Sequence, residues 1–248
     1  MTRFLRGSLL ALGLLGAEAP VLTATPLVVE GRLVNAVPLP TRADTTRRDA
    51  SRLPVGTFIY GITFNGNAVG ATTSIIARDG QGWIAIDSLP GVSSEWRFTN
   101  DFAPLTVRQA APAAGLDVQL IYSPGHVRGP ARLPAQMGGD KTIDAAIPAG
   151  TIASGMETLV VMTADLAQGR RITLPSFSAT TNAVANVTAE VVGSESVTVP
   201  AGTFDTWKVQ VTGGETPYTL WVRKDAPHVA VKQALAGQPV VIELQSIR

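Results

Sequence analysis

The residues that most often carry out chemistry in proteins are few and scattered in this 248-residue chain. It has two histidines, His126 in a Pro/Gly-rich stretch and His228 in a predicted turn, and no cysteine. Hydrolytic metal sites usually draw on two or three histidines, and the sequence lacks the HExxH, GxSxG, Walker and EF-hand patterns. A Ser-His-Asp site built in space around either histidine is the remaining route to catalysis. We expect no catalytic residue, no metal and no cofactor.

Large apolar residues form a second set, suited to packing or to binding an apolar molecule. Ordinary core is one interpretation, because sheets need such residues to pack. The other is a groove on a curved sheet that accepts a lipid or another hydrophobic ligand. The candidate ligand-binding residues are Phe58, Tyr60, Ile62, Phe64, Val118, Leu120, Met156, Leu159, Val160, Trp207 and Trp221.

Short strands must position most of these residues. From Phe58 to Phe64, every second residue is large and apolar, which predicts a strand with one apolar face. Asn65-Gly66-Asn67 follows with the chemistry of a hairpin turn. The spacing of turn residues favours an antiparallel meander, with further strands at residues 70–77, 83–87, 95–99, 106–109, 116–122, 141–147, 185–194, 203–212, 218–224, 229–234 and 240–246.

Two other segments stand apart from the strands. Residues 153–166 carry Met156, Leu159 and Val160 at helical spacing, with Gly169 beyond them, and predict the one long helix after the leader. Residues 123–140 are rich in proline and glycine and predict an exposed, mobile loop.

The N-terminal region has the pattern of a secretory signal. Arg3 and Arg6 precede a short apolar run, and cleavage is expected after Ala24, with Ala19 as the competing site. We therefore predict a signal peptide at 1–24, a flexible segment at 25–52, a β domain at 53–248, and a periplasmic or extracellular location. The apolar run is too short to be a transmembrane anchor, and the mature chain has a net charge of zero, which argues against nucleic acid as a partner.

Three stretches resemble a known family. Val199-Pro200-Ala201-Gly202-Thr203-Phe204-Asp205-Thr206-Trp207-Lys208-Val209, the later run from Leu220 to Val229, and the early hairpin from Tyr60 to Gly70 resemble an uncharacterised family of exported bacterial proteins. That family is similar in turn to the LolA and LolB lipoprotein carriers. The resemblance implies a mainly β fold, a single curved antiparallel sheet or half-open barrel, with one main helix packed over the concave face above an apolar cavity. It carries over no catalytic residue.

Three hypotheses for function follow. The first is a non-catalytic cell-envelope protein that binds a lipid or other hydrophobic small molecule between sheet and helix. The second is a structural or protein-interaction module with a filled core, which would contact an envelope protein through a sheet edge or through residues 123–140. The third is a hydrolase that uses His126 or His228.

Overall fold

The computed structural model describes residues 48–248, and one continuous sheet dominates it. All neighbouring strands are antiparallel except the short β9, which pairs with β10 in parallel. The predicted mainly β, largely antiparallel architecture is therefore confirmed. The strands are β1 Gly56–Phe64, β2 Asn67–Asp79, β3 Gly82–Leu89, β4 Val92–Phe98, β5 Pro104–Ala111, β6 Leu116–Ser123, β7 His126–Arg132, β8 Lys141–Ala146, β9 Ile152–Ala153, β10 Arg171–Ser178, β11 Ala183–Val199, β12 Gly202–Thr212, β13 Tyr218–Arg223, β14 Ala230–Leu235 and β15 Val240–Ile247.

The first and last strands meet in the middle of the sheet. β1 pairs with β2 on one side and with β15 on the other. From this centre, β2 to β8 run outward in chain order as an N-terminal wing, and β14 to β9 run outward in reverse order as a C-terminal wing. The sheet thus joins the two ends of the domain along one long strand pair.

The two wings curl toward each other. The ring of Tyr122 in β6 meets the ring of Phe177 in β10 edge-on, with centroids 6.4 Å apart. Lys141, at the start of β8, donates to the carbonyl of Thr180 beyond β10 at 2.6 Å. The indole N–H of Trp96 in β4 donates to the carbonyl of Ser154 at 3.0 Å. These contacts give the curved sheet a barrel-like form around a common core.

The helix α1, Glu157–Thr163, lies inside this curl and is shorter than predicted. The predicted start at residue 153 is wrong because Ala153 belongs to β9 and Gly155 has a φ of +94°. The predicted end at residue 166 is also wrong, since the backbone is already extended at Ala164. Six of its seven residues are buried, on every side of the helix. It is therefore a core element inside the concavity, and it has no broad solvent face.

The predicted hairpin after β1 is confirmed. Asn65 and Gly66 have φ values of 51° and 77°, both in the left-handed region. A type I′ turn requires positive φ at both central positions, which asparagine and glycine tolerate best.

The prediction of a mobile loop over residues 123–140 is wrong, because β7 lies within it. Val127 and Ala131 are buried on one face of this strand, and Pro130 pairs with Thr142 of β8. At Gly129, a Cβ atom would lie 2.0 Å from the carbonyl oxygen of Gln119, so the backbones of β6 and β7 approach closely there. Glycine and proline here mark an irregular strand, although the same residues usually indicate a loop.

The described part of the chain begins before the predicted boundary at Leu53. Ala50 is buried in a one-turn 3-10 helix, Ala50–Arg52, and its N–H donates to the carbonyl of Asn100 at 2.7 Å. Arg52 pairs with Asp165, just beyond α1, at 2.8 Å. Residues 48–52 are thus part of the domain, whereas the predicted signal peptide and residues 25–47 lie outside the described residues. Within residues 48–248, no helix is long and apolar enough to cross a bilayer.

Candidate functional site

A cavity of about 400 Å³ lies between the two wings and α1. Residues of β1 to β6 line one side, and residues of β11 to β15 and of α1 line the other. This volume is within the range of small-molecule sites in proteins. The cavity is therefore large enough for a ligand even though the surrounding core is packed.

The apolar face of β1 forms one wall of the cavity. Phe58, Tyr60 and Ile62 alternate along the strand and all three line the cavity. Leu159 of α1 lines it from inside the curl. The Tyr60 hydroxyl donates to the carbonyl of Ala230 at 3.0 Å, which fixes the ring against β14. Four of the eleven sequence-predicted residues thus meet around one space.

The other predicted residues do not line the cavity. Four of them are buried in the surrounding core: Val118, Leu120, Met156 and Val160. Phe64 is 40% exposed beside the turn at the end of β1. Trp207 and Trp221 are half-buried, with lysine side chains over their rings, and the Trp221 indole N–H donates to Glu195 at 2.6 Å. Period-two spacing could not distinguish these residues from those that line the cavity, because it indicates only which face of a strand is apolar.

A polar stripe crosses the wall of the N-terminal wing, and the sequence analysis missed it. Strand register places Ser74 of β2 opposite Asp87 of β3, Asp87 opposite Ser94 of β4, and Ser94 opposite Gln109 of β5. All four line the cavity. The sequence contained one indication of this stripe. Trp83, Ala85 and Asp87 are alternate residues of β3, so Asp87 points to the same face as the two buried residues.

Asp87 is the acidic group of this stripe. Asp87 is exposed, and it lines the cavity on the same side of β3 as the buried Trp83 and Ala85. Desolvation by the surrounding protein raises the pKa of its carboxyl, and a hydrogen bond from Ser74 opposes that shift. Burial also raises the pKa of Tyr60, and the neighbouring Asp87 adds to the increase. The cavity therefore holds a partly desolvated carboxyl group that a ligand can reach.

A second acidic group stands at the start of α1. Glu157 accepts hydrogen bonds from the Gly155 N–H at 2.8 Å and from the Ser176 hydroxyl at 2.7 Å. Burial raises the pKa of its carboxyl. Glu215, also in the lining, accepts a hydrogen bond from Ser178. These two carboxylates already have donors from the protein.

Comparison with known proteins places the chain in a family. Residues 49–244 match the model of a family described as protein of unknown function (DUF3108). The chain belongs to this family. No curated protein matches the chain.

Three solved structures resemble this DUF3108 protein at low sequence identity. The first is a beta-barrel-like protein of the DUF1849 domain of unknown function from Brucella abortus, with a TM-score of 0.45, 12% identity, and coverage of 79% of this chain and 97% of that one. The second, a candidate exported protein with a YmcC-like fold from Bacteroides fragilis, has a TM-score of 0.29, 10% identity, and coverage of 79% and 97%. The third, a candidate lipoprotein from Parabacteroides distasonis, has a TM-score of 0.30, 10% identity, and coverage of 79% and 98%.

The two histidines of the DUF3108 domain lie away from the cavity. Nε2 of His126 is 2.7 Å from Oδ1 of Asp144 on the neighbouring strand, at the surface of the sheet. Nδ1 of His228 lies 2.9 Å from the carbonyl oxygen of Arg223. Neither residue lines the cavity, and within residues 48–248 no three His, Asp or Glu side chains are grouped as metal ligands would be. The described geometry gives the hydrolase hypothesis no assembled site.

Proposed function

We propose that this DUF3108 protein is a non-catalytic cell-envelope protein that binds a lipid or another hydrophobic molecule in the cavity inside its curled sheet. The observation that carries the proposal is the unfilled space of about 400 Å³ between the apolar face of β1 and the buried helix α1. The resemblance to the LolA and LolB carriers supports the same use of a concave sheet.

The walls of the cavity suit an apolar ligand. Phe58 and Ile62 are each only 2% exposed, so they are held in place by the core behind them. Transfer of ligand surface from water to such a wall contributes about 25 cal/mol per Å². Because β1 is bonded to strands on both sides, this wall is formed before binding, which reduces the entropic cost of association.

The envelope location depends on the predicted signal peptide. Arg3 and Arg6, the apolar run after them and the small residues up to Ala24 form the three-part pattern of an exported precursor. Protein recovered from the periplasm or medium with its N-terminus at residue 25 or residue 20 would agree with the proposal. Full-length protein retained in the cytoplasm would contradict the location but not the binding activity.

A pair of substitutions on β2 tests the binding site. The Thr72 side chain lines the cavity, and its hydroxyl donates to the carbonyl of Ser88 at 3.1 Å. Thr73 is the next residue and points to the opposite face of the sheet. We expect Thr72→Phe to fill part of the cavity and to lower the amount of bound ligand, whereas the matched control Thr73→Phe leaves it unchanged.

The measurement is mass spectrometry of an organic extract of the purified protein and of both variants. Uptake of the uncharged dye N-phenyl-1-naphthylamine serves as a second readout. The proposal fails if the folded wild-type protein yields no hydrophobic molecule and also takes up no dye. It also fails if the two variants lose ligand and dye equally.

A filled-core interaction module is the second candidate function. The observation in its favour is α1, which lies inside the curl and has buried residues on every side. The outer strand β8 ends the N-terminal wing, and an edge strand can pair with another chain. A clean extract from folded protein, together with a partner cross-linked to residues 141–146, would favour this candidate.

A further inference from the structure

The charge of the cavity indicates what the polar end of a ligand must be, an inference that rests on the proposed function. Three carboxyl groups line the cavity, those of Asp87, Glu157 and Glu215. Among the described lining residues none is arginine or histidine, and one is lysine, Lys232. The sign of the local charge therefore depends on where the Lys232 ammonium lies.

The Lys232 ammonium lies on the outer face of the sheet. Lys232 pairs in register with Glu243, and Glu243 pairs with Gly61. Tyr60 and Ile62 face the cavity, and Gly61 between them therefore faces outward. Glu243 and Lys232 are in register with Gly61 and face outward as well. The ammonium forms an ion pair with Glu243 at 2.8 Å on that side. The described lining therefore directs carboxyl groups, and no cationic side chain, into the cavity.

Asp87 is the carboxyl group with capacity left for a ligand. Glu157 and Glu215 accept hydrogen bonds from the protein as described above. Within residues 48–248, no lysine or arginine forms an ion pair with Asp87. Its protein donor is the Ser74 hydroxyl, and a carboxylate can accept about four hydrogen bonds. Asp87 is exposed and lines the cavity, where a donor could approach it.

The polar stripe and the apolar end of the cavity are separate. Phe58 pairs in register with Ser74, and Ile62 lies four residues further along β1, a distance of roughly 13 Å along a strand. At that end, Ile62 packs with Leu235 and Val240 in a small apolar cluster. The cavity thus has a polar stripe at the level of Asp87 and a mainly apolar cluster at the level of Ile62. Tyr218 packs against that cluster, and its hydroxyl lies 3.1 Å from the hydroxyl of Thr158.

We propose that the ligand is a cationic amphiphile, with an amine group held against Asp87 and the hydrocarbon chain directed toward Ile62 and Leu235. An ionised carboxylate that the surrounding protein partly desolvates loses hydration, and a ligand cation offsets that loss. An anionic ligand such as a fatty acid meets three carboxyl groups and no inward cation from the described lining. The site therefore selects an amine over a carboxylate of equal chain length.

Titration calorimetry with three probes of equal chain length tests the proposal. The purified full-length protein is titrated with decylamine, decanol and decanoate, each below its micelle concentration. We expect decylamine to bind about tenfold or more tighter than decanoate, with decanol between them, because only decylamine carries a positive charge that can pair with the Asp87 carboxylate. Asp87→Asn should weaken decylamine to the affinity of decanol.

The control is Asp117→Asn, which makes the same chemical change in β6. Asp117 precedes the buried Val118 and points to the opposite face of the strand. It should leave all three affinities unchanged. Equal affinities of the wild-type protein for the three probes would overturn the cationic preference and leave the proposed function intact. Binding of none of them, together with an empty extract, would overturn the proposed function itself. The wild-type ranking decides the question even if Asp87→Asn does not fold.

Discussion

At the scale of single residues, buried carboxyl groups are the least expected feature of this apolar interior. Glu157 is 8% exposed, and its two hydrogen-bond donors only partly replace the water lost on folding. Desolvation therefore raises its pKa above the ordinary value of 4.5. A group whose pKa is raised on folding stabilises the protein most at low pH, and that contribution is lost as pH rises toward the folded-state pKa.

We expect Glu157→Gln to flatten the dependence of stability on pH. The amide can keep a hydrogen-bond acceptor for Gly155 but has no charge to bury. As the pH rises from about 5 to about 8, the free energy of unfolding of the variant should increase relative to that of wild type. The increase should be up to roughly 1.4 kcal/mol for each pH unit over which the folded wild-type carboxyl keeps its proton. Urea denaturation at the two pH values measures this.

The control for this prediction is Asp140→Asn, since the Asp140 side chain is 72% exposed. It should leave the pH dependence of the free energy of unfolding as in wild type. Parallel pH profiles for wild type and Glu157→Gln would show that burial of the Glu157 charge does not affect stability.

At the scale of elements, sequence patterns predicted the type of most strands but misjudged β7 and the segment around α1, and they missed β10 altogether. Period-two alternation predicted β1 and its cavity-facing side, and Asn65-Gly66 predicted the turn that follows. In β7, Gly129 and Pro130 hid the alternation of Val127 and Ala131. Around α1, helical spacing continued into residues that the tertiary structure uses as β9 and as an extended exit.

We expect Gly129→Ala to destabilise the pairing of β6 with β7. The added Cβ would lie 2.0 Å from the Gln119 carbonyl oxygen, and the φ of +146° is unfavourable for alanine. The cost should be about 2 kcal/mol or more in the free energy of unfolding, measured by urea denaturation. Gly193→Ala in β11 is the matched control, because nothing lies within 4 Å of its Cβ position. Equal stabilities of the two variants would contradict the close approach of β6 and β7.

At the scale of the whole molecule, the curl of the sheet creates the cavity. β1 joins the two wings at the centre, and contacts such as Trp96 with Ser154 hold the N-terminal wing against the segment that leads into α1. Without these long-range contacts the faces of the wings would be exposed to water. The volume of the cavity is therefore a property of the closed form alone.

We expect Trp96→Phe to loosen this closure. The phenyl ring retains apolar packing, but the partly buried carbonyl of Ser154 loses its donor, which costs about 1 kcal/mol. Trp221→Phe is the matched control, because its indole bond to Glu195 lies on an exposed face, where water can replace the donor. Thermal unfolding of both variants measures the difference. A larger loss for Trp221→Phe than for Trp96→Phe would contradict the role of the Trp96 contact.

The sequence by itself determined the local properties of this protein: mainly β structure, the apolar side of β1, and the hairpin turn after it. These depend on neighbours in the chain, because alternation and turn chemistry act over a few residues. The tertiary structure alone decided that Val118 and Leu120 fill the core while Phe58 and Ile62 border a space, and that Asp87 faces that space. A cavity is the volume left between elements that are distant in sequence. A local pattern tells which face of a strand points inward, but not what lies opposite.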